Sequence, residues 1–288
     1  MQKSVILTVT LTVGLVMEWC LARIETTRVE AQVTQGGQST AADKSGRAAT
    51  LDALCSGELK IVDLTWPLNE KGAYWPGDNY KPFELHTIAT LEKNGVLSKS
   101  FCMPEHQGTH IDAPNHFEAD RPSVDRIAVG DLFAEGVLIN VSDQAAANAD
   151  YALTLADVEA WEKKNGQIPE RAVVLLKTGW GRHFQNPVRY RNQDVMGRMH
   201  FPGFSAEAVR FLIERRNIRG IGLDTLSLDP GQSRDFAVHH LVGRAGRYGL
   251  ENLAGLDELP ATKFYLVVAP IKIETGSGGP TRVLAILR

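Results

Sequence analysis

Residues 106–117 read HQGTHIDAPNHF, and the segment from His106 to His116 places three of the chain's eight histidines and an aspartate within eleven positions. Whether this stretch is helix or strand decides which of those side chains can act together. On a helix, His106 and His110 would share a face, as in the zinc-peptidase pattern H-E-x-x-H. That pattern needs a glutamate after the first histidine, and the chain has Gln107 there. Gly108 inside the stretch and Pro104 and Pro114 on either side also oppose a helix. An extended strand fits better. Alternate side chains of a strand share one face, so His106, Gly108, His110 and Asp112 are expected to project together. Glycine leaves a gap in which a cation of zinc or manganese type can sit among two nitrogens and an oxygen. Pro114 is expected to end the strand and turn His116 back toward that surface, where it can act on water beside a three-ligand centre.

Working outward, LKIVDLTWPL (59–68) and FELHTIATL (83–91) read as strands, the first through its apolar run Ile61 to Leu64. Two later segments have helical periodicity: TLADVEAWEKKN (154–165), opened by a Thr154/Asp157 capping box, and SAEAVRFLIERRN (205–217), with Ser205 as N-cap. Each precedes a largely apolar run, AVVLLKTG (172–179) and IRGIGLDTLS (218–227), of the kind expected for strands buried on both faces. FYLVVAPIKI (264–273) and RVLAIL (282–287) add strands at the end of the chain. These elements predict one mixed α/β domain over residues 58–288, with more strand than helix.

The 288 residues carry 31 basic and 34 acidic side chains, a formal charge of −3, and 43% hydrophobic content. That composition can build a sizeable core and offers no basic stripe for nucleic acid. The N-terminus reads differently. Lys3 and Ser4 precede an apolar run from Val5 to Met17 and then Cys20-Leu21-Ala22, the pattern of a secretory signal over residues 1–22. The rival reading, a permanent membrane anchor, needs about 20 apolar residues. The polar, aperiodic residues 23–57 read as a mobile leader, and the expected location is secreted or periplasmic. With the signal removed, Cys55 and Cys102 remain, and the sequence leaves their pairing open.

A second constellation lies in DFAVHHLVGRAGRYGLENL (235–253), where His239, His240 and Glu251 stand in an apolar, glycine-rich setting. Taken together, the two constellations resemble the cyclase-type metal-dependent hydrolases, a family that includes bacterial kynurenine formamidases and isatin hydrolases. The family pattern H-x-G-T-H-x-D-x-P-x-H is matched at His106, Gly108, Thr109, His110, Asp112, Pro114 and His116. IVDLTWPL, YWPGD, LLKTGW, GIGLDTLSLDPG, VVAPIKI and GSGGPTRVLAI extend the resemblance over nearly all of the chain after residue 58. It implies that His106, His110 and Asp112 bind a divalent metal, zinc or manganese, and that His116 is the catalytic acid/base. It further implies that His239, chosen over His240 by its twelve-residue spacing to Glu251, completes a second metal position with Glu251, Asp112 bridging; one or two ions remain open. The implied fold is a swivelling β/β/α arrangement, assembled as a homo-oligomer. The implied reaction is hydrolysis of an amide, formamide or lactam, in a small aromatic carbonyl compound.

A metal- or ligand-binding protein without turnover is the rival from another class, and a lactone or ester hydrolase the rival in substrate; a pure binder has no need of His116. Trp66, Trp75 and Phe117 are the candidates for an aromatic substrate pocket, with core packing as the competing reading for each. The stretch ETGSGGP (274–280) lacks the Gly-Lys-Ser/Thr of a phosphate loop and reads as a turn.

Overall fold

The computed structural model describes residues 52–288; the signal segment 1–22 and most of the leader lie outside the described residues. Twelve strands occur among the described residues. They are β1 (Ile61–Asp63), β2 (Glu84–Ala89), β3 (Ser98–Cys102), β4 (His110–Asp112), β5 (Phe133–Asn140) and β6 (Ala152–Leu153). The remainder are β7 (Val173–Lys177), β8 (Gly203–Phe204), β9 (Gly220–Leu223), β10 (Tyr248–Glu251), β11 (Phe264–Pro270) and β12 (Gly278–Leu287). Three helices matter for the site: α1 (Leu155–Asn165), α2 (Ala206–Arg216) and α3 (Ala237–Arg244).

Eight strands form the main sheet in the order β1-β12-β11-β5-β7-β9-β10-β4, and β4 also pairs with β12. The sheet therefore closes into a barrel-like ring of seven strands with β1 added outside β12. Strands β5, β7, β9 and β10 run parallel, and the pairings through β4, β11 and β12 are antiparallel. Closure depends on the long strand β12, whose first residues, Gly278–Pro280, pair with β4 while the rest pairs with β11.

The run Val173–Lys177 explains why the parallel strands lack polar alternation. Val173 and Leu175 point into the core inside the ring, whereas Val174 and Leu176 point to the layer under the helices. Both faces are dry, and each such side chain contributes about 1.5–3 kcal/mol of burial. Helices α1 and α2 begin as the sequence predicts. Thr154 and Asp157 form a reciprocal capping box, and the Ser205 hydroxyl accepts from the Ala208 N–H.

The expected strand over 106–112 is shorter than predicted: only His110–Asp112 is strand. Gly108 has a φ of +68°, a left-handed conformation that turns the backbone, and residues 105–109 form turns and bends. His106 consequently enters the site from a loop, not by strand alternation. Pro114 does end the strand, opening a 3-10 turn over Pro114–His116. Cys55 and Cys102 are both exposed and free.

Candidate metal centre and active site

Strand β4 places His110 and Asp112 in the wall where the ring closes. Its pairing with β10 sets Glu251 opposite His110. Helix α3 supplies His239 from the other side, and its Gly243 allows close approach, since a Cβ there would lie 2.8 Å from the Pro114 carbonyl oxygen. The helix thereby packs against the turn that carries His116.

The candidate donor atoms converge. His106 Nδ1 is 2.7 Å from Asp112 Oδ1, and His110 Nε2 is 3.2 Å from the same oxygen. His239 Nε2 lies 3.4 Å from Asp112 Oδ2 and 3.2 Å from Glu251 Oε1, while Glu251 Oε2 is 3.4 Å from His110 Nε2. Two triads result, His106/His110/Asp112 and Asp112/His239/Glu251, sharing Asp112. In each triad the candidate donor atoms lie within 4.8 Å of one another.

The outer contacts of the histidines fix which nitrogen faces inward. His110 Nδ1 donates to the Gly108 carbonyl at 2.9 Å, and His239 Nδ1 donates to Asp229 Oδ2 at 2.6 Å. Both therefore present unprotonated Nε2 to the carboxylates when neutral. His110 Nε2 and Asp112 Oδ2 are buried atoms without a hydrogen-bond partner. A cation satisfies such a set of inward lone pairs, and the mixed imidazole and carboxylate donors suit a divalent metal.

The electrostatics agree. Burial alone would lower the pKa of His110, but Asp112 and Glu251 outweigh it and push it up to about 10. For His239, burial is again overcome, by Asp112, Asp229 and Glu251, and its pKa rises well above the ordinary value. Asp112 moves the opposite way: burial would raise it, yet His106, His110 and His239 hold it well below the carboxylate range. All three shifts share a cause: buried imidazoles and carboxylates packed together, each favouring the charged form of the other. His116 differs. Burial, opposed by the Asp112 charge, takes it down to about 4, so its imidazole is neutral near pH 7. Its ring stacks on His106 with centroids 3.8 Å apart.

A cavity of about 260 Å³ opens onto these groups, lined by His106, His116, His239 and Glu251 and by the aromatic walls Trp75, Phe117 and Phe236. Two of the three aromatic residues expected to line a pocket are there, Trp75 and Phe117. Trp66 is not: it stacks on Phe184 at 4.9 Å and packs with the aromatic cluster around Tyr190 and Trp180. Of the adjacent pair, His239 faces the triad, and His240 turns away to Glu118 Oε1 at 2.7 Å. Sequence reasoning missed Phe236, which belongs to an aperiodic loop, and gave Asp229 no role. Asp229 and His239 are ten positions apart, with Pro230 and Gly231 between, and no spacing rule connects them.

Comparison with known proteins follows the same lines. A family profile described as "Putative cyclase" matches residues 62–230. An isatin hydrolase from Roseibium aggregatum is 33% identical over 249 residues, covering 81% of this chain and 94% of that protein. A kynurenine formamidase from Bacillus cytotoxicus is 29% identical over 224 residues, 77% of this chain and 95% of that protein. Among solved structures, isatin hydrolase A from Labrenzia aggregata bound to benzyl benzoate superposes with a TM-score of 0.79 at 38% identity, covering 84% of this chain and 99% of that one. An isatin hydrolase bound to the product analogue thioisatinate gives 0.80 at 32% identity, covering 85% and 98%. The protein is thus a hydrolase of non-peptide carbon–nitrogen bonds with the mixed α/β fold of these relatives. The chain belongs to the cyclase family of metal-dependent hydrolases.

Proposed function

We propose that the enzyme hydrolyses the amide of a small aromatic carbonyl compound, a formamide or a lactam such as isatin. In this reading His106, His110 and Asp112 hold a divalent zinc or manganese ion, and His239 and Glu251 complete a second position with Asp112 between the two. When bound, the cation supplies acidification of water and polarisation of the scissile carbonyl. The chain's own residues do the rest. His116, neutral near pH 7 and facing the cavity, takes a proton from the attacking water and returns it to the leaving nitrogen. Trp75, Phe117 and Phe236 hold a planar ring against the centre and exclude water. A cavity of about 260 Å³ lies at the small end of ligand pockets and suits a one- or two-ring compound.

The observation that carries the reading is the convergence of three inward imidazoles on two buried carboxylates beside an aromatic cavity that also holds a free histidine. Chelator-treated protein supplied with Mn²⁺ or Zn²⁺ is expected to hydrolyse isatin or N-formylkynurenine. Bound metal without turnover of any formamide, lactam or lactone would favour a binding protein on the same fold.

The same proposal extends to assembly and location. The hairpin β2–β3 stands apart from the main sheet and exposes Leu85, Ile88, Leu97 and Phe101 at 46–66%. An isolated hairpin is marginal in water, and an apolar patch of this kind suits a second copy of the chain. Light scattering is expected to give a homo-oligomer, and Phe101→Asp to shift it toward monomer. Export is supported by the apolar run Val5 to Met17, and N-terminal sequencing of mature protein is expected to begin near Arg23.

A further inference from the structure

The glycine-rich turn before β12 has a place in the metal site. Ser277 Oγ stands 2.9 Å from His106 Nε2 and also donates to Glu105 Oε2 at 2.7 Å; the Ser277 backbone N–H donates to the same carboxylate oxygen at 3.0 Å. Because the hydroxyl hydrogen is committed to Glu105, the oxygen can only accept from the imidazole, and Nε2 must carry the ring hydrogen. The other nitrogen, Nδ1, then turns its lone pair toward Asp112 Oδ1 at 2.7 Å. Two acceptors at that distance need a cation or a proton between them.

The flanking glycines make this contact sterically feasible. A Cβ on Gly278 would lie 2.5 Å from His106 Cε1 and closer still to the Ile111 carbonyl oxygen, and a Cβ on Gly276 would lie 2.9 Å from Glu105 Oε1. The segment Gly276–Gly278 therefore fits against the back of His106 only with no side chain at Gly278, while a side chain at Gly276 would press on Glu105 and Ile273.

We propose that Glu105 and Ser277 form a relay that positions His106: the carboxylate accepts from the hydroxyl, which holds the ring hydrogen on Nε2 and leaves the Nδ1 lone pair facing inward. Both are positioning residues, and neither touches the cavity's substrate space. The inference rests on the proposed role of His106 as a metal ligand. It differs from the arrangement at the partner histidines, since His239 is backed directly by a carboxylate and His110 by a backbone carbonyl. Removing such an outer partner characteristically weakens metal binding by about 10–100-fold.

The test uses the full chain after chelator treatment, titrated with Zn²⁺ in competition with a chromophoric chelator. Ser277→Ala and Glu105→Gln are each expected to weaken binding by about tenfold or more. Glu105→Gln added to Ser277→Ala is expected to produce no further loss, because the carboxylate reaches the ring only through the hydroxyl. Nitrogen-15 NMR of the histidine rings is expected to find the His106 hydrogen on Nε2 in the parent protein and redistributed in Ser277→Ala. Additive losses, or wild-type affinity in both single variants, overturn the relay. If His106→Ala weakens binding while Ser277→Ala does not, the relay alone is wrong. If the parent protein binds no Zn²⁺, or His106→Ala leaves affinity intact, the metal-ligand reading itself fails.

Discussion

Replacing Asp229 tests how closely the fold and the metal site are joined. Its carboxylate is almost fully buried and, besides a long contact from the Ser233 hydroxyl, makes three bonds to α3: Oδ1 accepts from the Val238 N–H at 2.9 Å, and Oδ2 accepts from the His239 N–H at 3.1 Å and from its Nδ1 at 2.6 Å. The first two satisfy backbone donors in the first turn of α3, a capping function worth about 0.5–2 kcal/mol. The third is a charge-assisted bond worth about 1.5–3 kcal/mol. Asp229→Ala is therefore expected to lower stability by about 2–5 kcal/mol. Asp229→Asn is the sharper variant. It keeps the shape and one acceptor oxygen: with its NH₂ at the Oδ1 position it opposes the Val238 N–H, at the Oδ2 position it opposes both His239 donors, and in either orientation the carboxylate charge that strengthens the bond to Nδ1–H is lost. Metal affinity in Asp229→Asn is expected to fall about 10–100-fold, or roughly 1.4–2.7 kcal/mol. Chemical denaturation and Zn²⁺ titration on the same preparation separate the two effects. Wild-type metal affinity in Asp229→Asn would falsify the claim that this carboxylate orients a ligand.

Three further outcomes follow from the site. His116→Ala is expected to keep its metal and lose about 10²–10⁴ in kcat, since a positioned acid/base is worth that much; parallel loss of metal and activity makes His116 a ligand instead. Trp75→Ala is expected to raise KM, whereas Trp66→Ala, stacked on Phe184 outside the cavity, is expected to cost about 3 kcal/mol of stability with KM unchanged. His240→Ala, paired with Glu118 away from the cluster, is expected to leave metal content and kcat at the parent level.

The chemistry of residues 106–116 was legible because it is local. Residue types and short spacings name the donors, and Pro114 marks the turn that brings His116 back. The same alternation rule failed at His106, because a φ of +68° at Gly108 breaks the strand that the rule assumes. Helices α1 and α2 could be read from their capping residues. Helix α3 could not: its N-cap is Phe236 in a left-handed conformation with no side-chain bond, and Asp229 stabilises its first turn from across a loop. The backing of His106 by Ser277 spans 171 positions and exists only because β12 returns to pair with β4. Trp66 and Trp75 look alike in sequence, and only the path of the intervening loop sends one to Phe184 and the other to the cavity.

The closing strand is also where the proposed metal site is expected to act on stability. β4 has three residues, pairs with both β10 and β12, and carries His110 and Asp112, while Glu251 lies on β10. Three of the five candidate donors therefore sit across the seam that completes the ring, with His106 reaching it from the preceding loop and His239 pressed onto it by α3. Without a cation, the mutual contacts of two buried carboxylates and three imidazoles depend on protons, whose number falls as pH rises. A ligand that binds the folded state alone adds about 2.7 kcal/mol at 100 times its Kd. For a domain of this size, each kcal/mol moves Tm by about 2–4 °C, so Zn²⁺ or Mn²⁺ at that concentration is expected to raise Tm by about 5–11 °C over chelator-treated protein. The rise should continue with the logarithm of metal concentration. Asp112→Asn, similar in shape but without the shared charge, is expected to abolish most of it, and amide exchange in β4 should slow on metal addition in the parent protein only. A Tm that does not move while titration demonstrates bound metal would mean that the ions sit elsewhere than on this seam.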